Sequence, residues 1–276
     1  MEILTDHIST SDGLTLKFKY WTPENYPKAI ICLVHGFGEH QDRYQHVAEF
    51  FTKKDIGIFT YDQRGHGISE GKRGHTPSFR QLMEDLDQML DLVIQKFPDL
   101  PIFLYGHSMG GNVVLNYNLH YQKKLKGIIA TSPWLGLAFQ PPKIKVALGK
   151  IVNSIFPKFT EELTIDSGHI SRDKKIVEMY KNDPLVHGKI TVRAFLEIQH
   201  AGENAIENAY MQERPLYLCH GTADKVTSAL ASETFAKNAG SLVKFQLWED
   251  CFHEIHNEPE KEKLFETILG FIRDYI

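Results

Sequence analysis

Five stretches of this chain are apolar at nearly every position rather than at alternate ones: 29–34, 56–61, 101–105, 127–130 and 216–219. A strand with one face in water alternates, whereas a strand covered on both faces has no need to. The runs therefore predict a buried, mostly parallel sheet. Residues 243–248 add one more strand. The segment 15–21 alternates strongly and predicts a half-buried strand near a sheet edge. Helical spacing appears between these runs, at 44–54, 79–97, 112–121, 228–238 and 260–275. In the second of these, Leu82, Leu86, Met89, Leu90 and Val93 share one face. Alternating strands and helices predict an α/β fold with right-handed crossovers, flanking helices and no internal repeats.

One connection breaks this rhythm. About eighty residues separate the strand ending near Thr131 from the one starting near Pro215, where a crossover needs only a dozen or so. They predict an inserted helical cap at approximately 134–195, followed by a helix at about 194–210. In the insert, Val146, Leu148, Ile151, Val152, Ile155 and Phe156 alternate with Lys143, Lys145 and Lys150. This is a basic amphipathic segment. Two readings stay open: a lid that touches lipid and lines an acyl pocket, or a packed helix with a solvated lysine face.

Composition narrows the class. The 276 residues can bury a sizeable core, and 42% hydrophobic with 24% charged residues is ordinary globular usage. A net charge of −4 gives no basic stripe for nucleic acid. Cys32, Cys219 and Cys251 are odd in number and scattered, which fits a reducing compartment, and Cys32 and Cys219 fall in apolar strands as buried thiols. The first residues lack a basic n-region and an apolar h-region, and no apolar run approaches a membrane span. A cytoplasmic protein is expected, with peripheral membrane contact left to the basic cap segment.

The candidate chemistry starts at Gly106-His107-Ser108-Met109-Gly110, a G-x-S-x-G sequence between a predicted strand and a predicted helix. That context places Ser108 on a sharp turn as a nucleophile, with Gly106 and Gly110 lacking a Cβ where strand and helix meet. A serine hydroxyl needs a base, a group to orient that base, and donors for an oxyanion. Asp224 follows the 216–219 strand and precedes the histidines, so it is the acid candidate. Asp183 lies before a proline inside the insert and suits a turn. Asp250 is too close in sequence to the histidines to orient one easily. The base candidates are His253 and His256, and His253, nearer the strand end, is preferred. Their spacing is not H-E-x-x-H, so neither a metal nor a cofactor is expected. The Met109 N–H and the Phe37 N–H, in the 35–40 loop, are the expected oxyanion donors.

The motifs also carry a resemblance. His35-Gly36-Phe37-Gly38-Glu39-His40, the run from Tyr61-Asp62-Gln63-Arg64-Gly65-His66-Gly67 to Ser69-Glu70-Gly71, and the 106–111 segment are similar to the monoacylglycerol lipase and lysophospholipase group of α/β-hydrolases. So are Tyr180-Lys181-Asn182-Asp183-Pro184-Leu185, Gly221-Thr222-Ala223-Asp224, and Phe252-His253 with His256. The likeness runs in motif order from about residue 10 to the end. It implies a single α/β-hydrolase domain over 1–276 carrying a cap, and hydrolysis of monoacylglycerol by Ser108, Asp224 and His253. It also implies a polar cluster for the glycerol end at Glu39, Arg43, Tyr180 and His256. Glu39 and Arg43 could equally form an ion pair that pins their loop. Phe37 departs from the small residue common in the animal enzymes. Asp62 and Arg64 read as a structural turn. The alternatives are a lysophospholipase, a broad-specificity carboxylesterase, or a non-catalytic binding protein on the same fold.

Overall fold

The computed structural model describes residues 1–163 and 166–276, with the Lys143 side chain outside that description. The chain opens with β1 (Glu2–Ser9), β2 (Thr15–Thr22), β3 (Ala29–Val34), α1 (Gln45–Thr52) and β4 (Ile56–Tyr61). It continues through α2 (Phe79–Lys96), β5 (Ile102–His107), α3 (Met109–His120) and β6 (Gly127–Thr131). The insert contributes α4 (Lys143–Ile155), β7 (Thr160–Glu162), α5 (Lys174–Asn182), β8 (Lys189–Thr191) and α6 (Val192–Glu207). The chain then returns to the sheet with β9 (Leu216–Gly221), α7 (Ala229–Ala239), β10 (Val243–Trp248) and α8 (Lys261–Arg273).

The main sheet has the order β1-β2-β4-β3-β5-β6-β9-β10. Pairing is antiparallel at β1–β2 and β2–β4 and parallel from β4 onward. The continuous apolar runs have a direct cause. In β3, Ile30, Cys32 and Val34 pack under α2 and α3, while Ala29, Ile31 and Leu33 pack under α1 and α8. Both faces are dry, so each position buries apolar area worth roughly 25 cal/mol per Å². Side-chain caps fix the helix starts: Ser78 for α2, Thr191 for α6 and Ser228 for α7 each accept a backbone N–H three residues on. Cys32, Cys219 and Cys251 are buried and unpaired.

Three features differ from the sequence reading. β1 was not expected; it forms the edge and leaves the 15–22 strand second in the sheet. The insert also holds α5 and a small two-stranded antiparallel sheet of β7 and β8. The helix placed at 194–210 starts earlier, at Val192, and its Ala194, Ile198, Ala201 and Ala205 join the core. No helix among the described residues is long and apolar enough to cross a membrane.

Candidate active site

Ser108 sits between the last residue of β5 and the first of α3, with φ 54° and ψ −117°. A non-glycine residue reaches that region only under strain, and the surroundings hold it there. The Ser108 N–H donates to the Thr131 carbonyl at 3.1 Å, and its own carbonyl accepts from Asn112 and Trp134. The two motif glycines are steric necessities. A Cβ on Gly106 would meet the Gly110 carbonyl oxygen at 2.3 Å, and one on Gly110 would meet the Val34 carbonyl oxygen at 2.1 Å.

The loop after β10 delivers His253, and the loop after β9 delivers Asp224. His253 Nε2 lies 3.0 Å from Ser108 Oγ, and Nδ1 lies 2.8 Å from Asp224 Oδ2. A carboxylate only accepts, so Nδ1 carries a proton and Nε2 of the neutral ring faces the hydroxyl. Asp224 is itself anchored. Its Oδ1 accepts from the N–H groups of Val226 and Thr227, and its Oδ2 lies 3.0 Å from His220 Nε2. The other His220 nitrogen lies 2.8 Å from Ser232 Oγ. Burial alone would raise the Asp224 pKa, but His253 and the donors from His220 and His253 hold it well below the carboxylate range. Burial would likewise lower the His253 pKa, but the Asp224 charge and hydrogen bond outweigh it and raise it. His107 flanks the base with ring centroids 4.8 Å apart, and burial pushes it down to about 3, so it is neutral.

The Phe37 and Met109 N–H groups have no acceptor among the described residues. Met109 starts α3, where the positive end of the helix dipole suits an anion. The Phe37 ring packs edge-on against His66, Trp134 and His187 and forms part of a cavity wall. That cavity is about 270 Å³ and opens on Ser108 and His253. Trp134, Leu137, Leu163 and Val226 make it largely apolar, Glu39, Tyr180 and Glu254 add a polar patch, and Asp166, His169 and Lys225 line it too. A second cavity of about 180 Å³ lies against Val146 and Gly149 of α4 and shares Phe139 and Leu163 with the first.

The four side chains expected at the glycerol end separate into two pairs. Glu39 and Tyr180 line the cavity. Arg43 and His256 are not among the side chains that line it. Arg43 is taken up by two carboxylates, Glu39 and Glu254, and its guanidinium lies 4.8 Å from the Tyr180 ring centroid. Its ion pair with Glu39 does pin the loop, because Glu39 Oε1 accepts the Gly36 N–H at 2.6 Å. His256 is fully buried, stacked on Tyr44 at 4.8 Å and set behind His107. Burial pushes its pKa well below the ordinary value.

Asp183 takes the turn role, accepting the Leu185 N–H and pairing with His40. Asp250 sits in an exposed turn at φ 57°. Asp62 accepts the Gln41 and Ile68 N–H groups, and Arg64 bridges Asp12 and Asp85, so both tie loops together. Glu254 and His220 were not anticipated. Their signal was adjacency alone, since Glu254 follows His253 and His220 precedes Asp224 by four residues.

A family model for serine aminopeptidase, S33, matches residues 25–260. The chain is 31% identical over 261 residues to the monoglyceride lipase of Homo sapiens, covering 92% of this chain and 85% of that one. It is 38% identical over 273 residues to an uncharacterised abhydrolase domain-containing protein of Dictyostelium discoideum, covering 98% of this chain but 29% of that longer protein. Among solved structures, the monoacylglycerol lipase of Paleococcus ferrophilus superposes with a TM-score of 0.83 at 29% identity over the full length of both chains.

Proposed function

We propose, from the premise that this chain belongs to the serine aminopeptidase, S33 family of α/β-hydrolases and is a serine hydrolase, that its substrate is a monoacylglycerol, cleaved to fatty acid and glycerol. The observation that carries the reading is the line Ser108–His253–Asp224 beneath a mainly apolar cavity that Glu39 and Tyr180 also line. An acyl chain suits Trp134, Leu137, Leu163 and Val226, and a small polyol suits Glu39 and Tyr180.

In the reaction Ser108 Oγ attacks the ester carbonyl carbon while its proton passes to His253 Nε2. The carbonyl oxygen becomes an oxyanion held by the N–H groups of Phe37 and Met109, each donor worth roughly a hundredfold or more in rate. His253 returns the proton to the leaving glycerol oxygen as the carbon–oxygen bond breaks, giving an acyl-enzyme. A water molecule then repeats the attack, and the fatty acid leaves. Residues at about 134–195 act as the cap over this site. The exposed apolar side of α4 supports contact of that cap with lipid.

Rates on monoacylglycerols of graded chain length, with a lysophospholipid and a short aryl ester as comparators, test the substrate. Monoacylglycerol should give the highest kcat/KM, and Ser108→Ala should lower turnover by several orders of magnitude on all of them. A lysophospholipid preferred tenfold or more would overturn the substrate assignment. Phe139→Ala should move the preferred chain length upward, because Phe139 stands between the two cavities.

A further inference from the structure

Arg43 joins parts of the chain that are far apart in sequence. Its Nη1 donates to Glu39 Oε2 at 2.6 Å and to Glu254 Oε1 at 2.8 Å, and its Nη2 donates to Glu254 Oε2 at 2.7 Å. The side chains of Arg43, Glu39 and Glu254 are only 10%, 3% and 4% exposed. On one side, Glu39 holds the Gly36 N–H, one residue before the Phe37 N–H. On the other, Glu254 directly follows His253, and Asn257 also donates to its carboxylate. The same strand of loop is stitched to the insert, since the Glu254 N–H donates to the Ile170 carbonyl at 2.8 Å. A guanidinium fork fixes both distance and angle, which a point charge does not.

We propose that Arg43 and Glu254 are positioning residues that lock the 35–40 loop to the His253 loop, so that the Phe37 N–H and His253 Nε2 address the same carbonyl group. The proposal rests on the roles assigned above to Ser108, His253 and Phe37. Neither Arg43 nor Glu254 touches the reacting atoms. Their carboxylate–guanidinium contacts set where two other groups point, and a misplacement of about 1 Å at such groups costs on the order of a hundredfold in rate.

The test uses Arg43→Lys and Glu254→Gln in the full chain. Turnover of monoacylglycerol and of a short aryl ester is normalised to active sites titrated with a fluorophosphonate. For Arg43→Lys, kcat per titrated site should fall about 10- to 100-fold on both substrates, with KM changed less than about threefold. Glu254→Gln keeps the shape and one hydrogen bond, so it should lose less. An unchanged kcat per titrated site on both esters would overturn the proposal and leave the cluster purely structural. Loss on monoacylglycerol alone would overturn it too, by making Arg43 a glycerol contact. Should Arg43→Lys fail to fold, Glu254→Gln gives the same readouts. Ser108→Ala separates this proposal from the reading beneath it. Turnover near the wild-type rate, or fluorophosphonate labelling, in Ser108→Ala would sink the site assignment, whereas a Ser108→Ala reduced by several orders of magnitude beside an unimpaired Arg43→Lys would sink only the clamp.

Discussion

At the scale of single residues the decisive pair is His253 and Asp224. In the proposed mechanism His253 must be neutral to take the Ser108 proton. Its pKa lies above the ordinary 6.5 because the buried Asp224 carboxylate outweighs the effect of burial. The acid limb of kcat/KM should therefore be centred above 6.5 and fit one proton. Asp224→Asn removes the charge that raises His253 and disturbs the tautomer. It should shift that limb to lower pH and lower kcat by about 10⁴-fold. Paired pH–rate profiles with an aryl ester decide this, and a wild-type limb below 6.5 would refute the account. The order Ser108, Asp224, His253 was legible because each stands just past a strand that announces itself by hydrophobicity. The true placement of Arg43 was not legible. It depends on Glu254, 211 residues away in sequence, capturing the guanidinium in a buried ion pair. The burial of His256 was hidden for a related reason, since its sequence neighbours do not reveal that Tyr44 and His107 flank its ring.

At the scale of elements α4 is the outlier. Ile144, Leu148, Ile151 and Ile155 are 77%, 56%, 61% and 66% exposed and follow helical spacing along one stripe. Phe156 and Phe159 extend it. Such a stripe gains by entering a lipid interface, at roughly 1.5–3 kcal/mol for each fully buried large side chain. Leu148→Glu combined with Ile151→Glu should reduce binding to lipid vesicles at least tenfold and slow hydrolysis of dispersed long-chain monoacylglycerol. Hydrolysis of a soluble short aryl ester should stay unchanged, and a sedimentation assay beside the two rates checks both claims. Equal vesicle binding by wild type and variant would refute the lipid role. The segment itself was readable as amphipathic, but its outward orientation was not, because Val146 and Val152 on the other side are half-buried. β1 went unread for the opposite reason. Nearly every residue in it is exposed, so no buried face imposes a pattern on its sequence. β7 and β8, at three residues each, are too short for alternation to mark them.

At the scale of the whole molecule, the catalytic edge of the sheet carries an unusual load of buried histidine. His35 and His107 are pushed down to about 3 by burial, and His66 and His256 are driven well below the ordinary value for the same reason. Each stays neutral in the folded protein at a pH where the unfolded chain would bind a proton near 6.5. Their contribution to stability is complete above 6.5 and is lost as pH falls from there towards about 3. The slope is up to about 1.4 kcal/mol per pH unit for each histidine. Asp224, whose pKa is depressed, loses its contribution in the same direction at still lower pH. His253 and Glu39 run the other way, because their pKa values are raised in the fold and protonation favours the folded state. His46, His75 and His187 are lowered as well, and these seven histidines outweigh the raised His253 and the raised buried carboxyls of Glu39, Asp62 and Asp85, making acid destabilising between about 6.5 and 5. Urea unfolding at pH 7.5 and at pH 5.5 should give a clearly lower midpoint at pH 5.5. An equal or higher midpoint would mean that these imidazoles are not held neutral. The same pH range also silences His253, so the two effects must be separated by reversibility. Activity lost through His253 protonation returns on mixing back to pH 8, whereas activity lost through unfolding of this edge returns only as fast as the chain refolds.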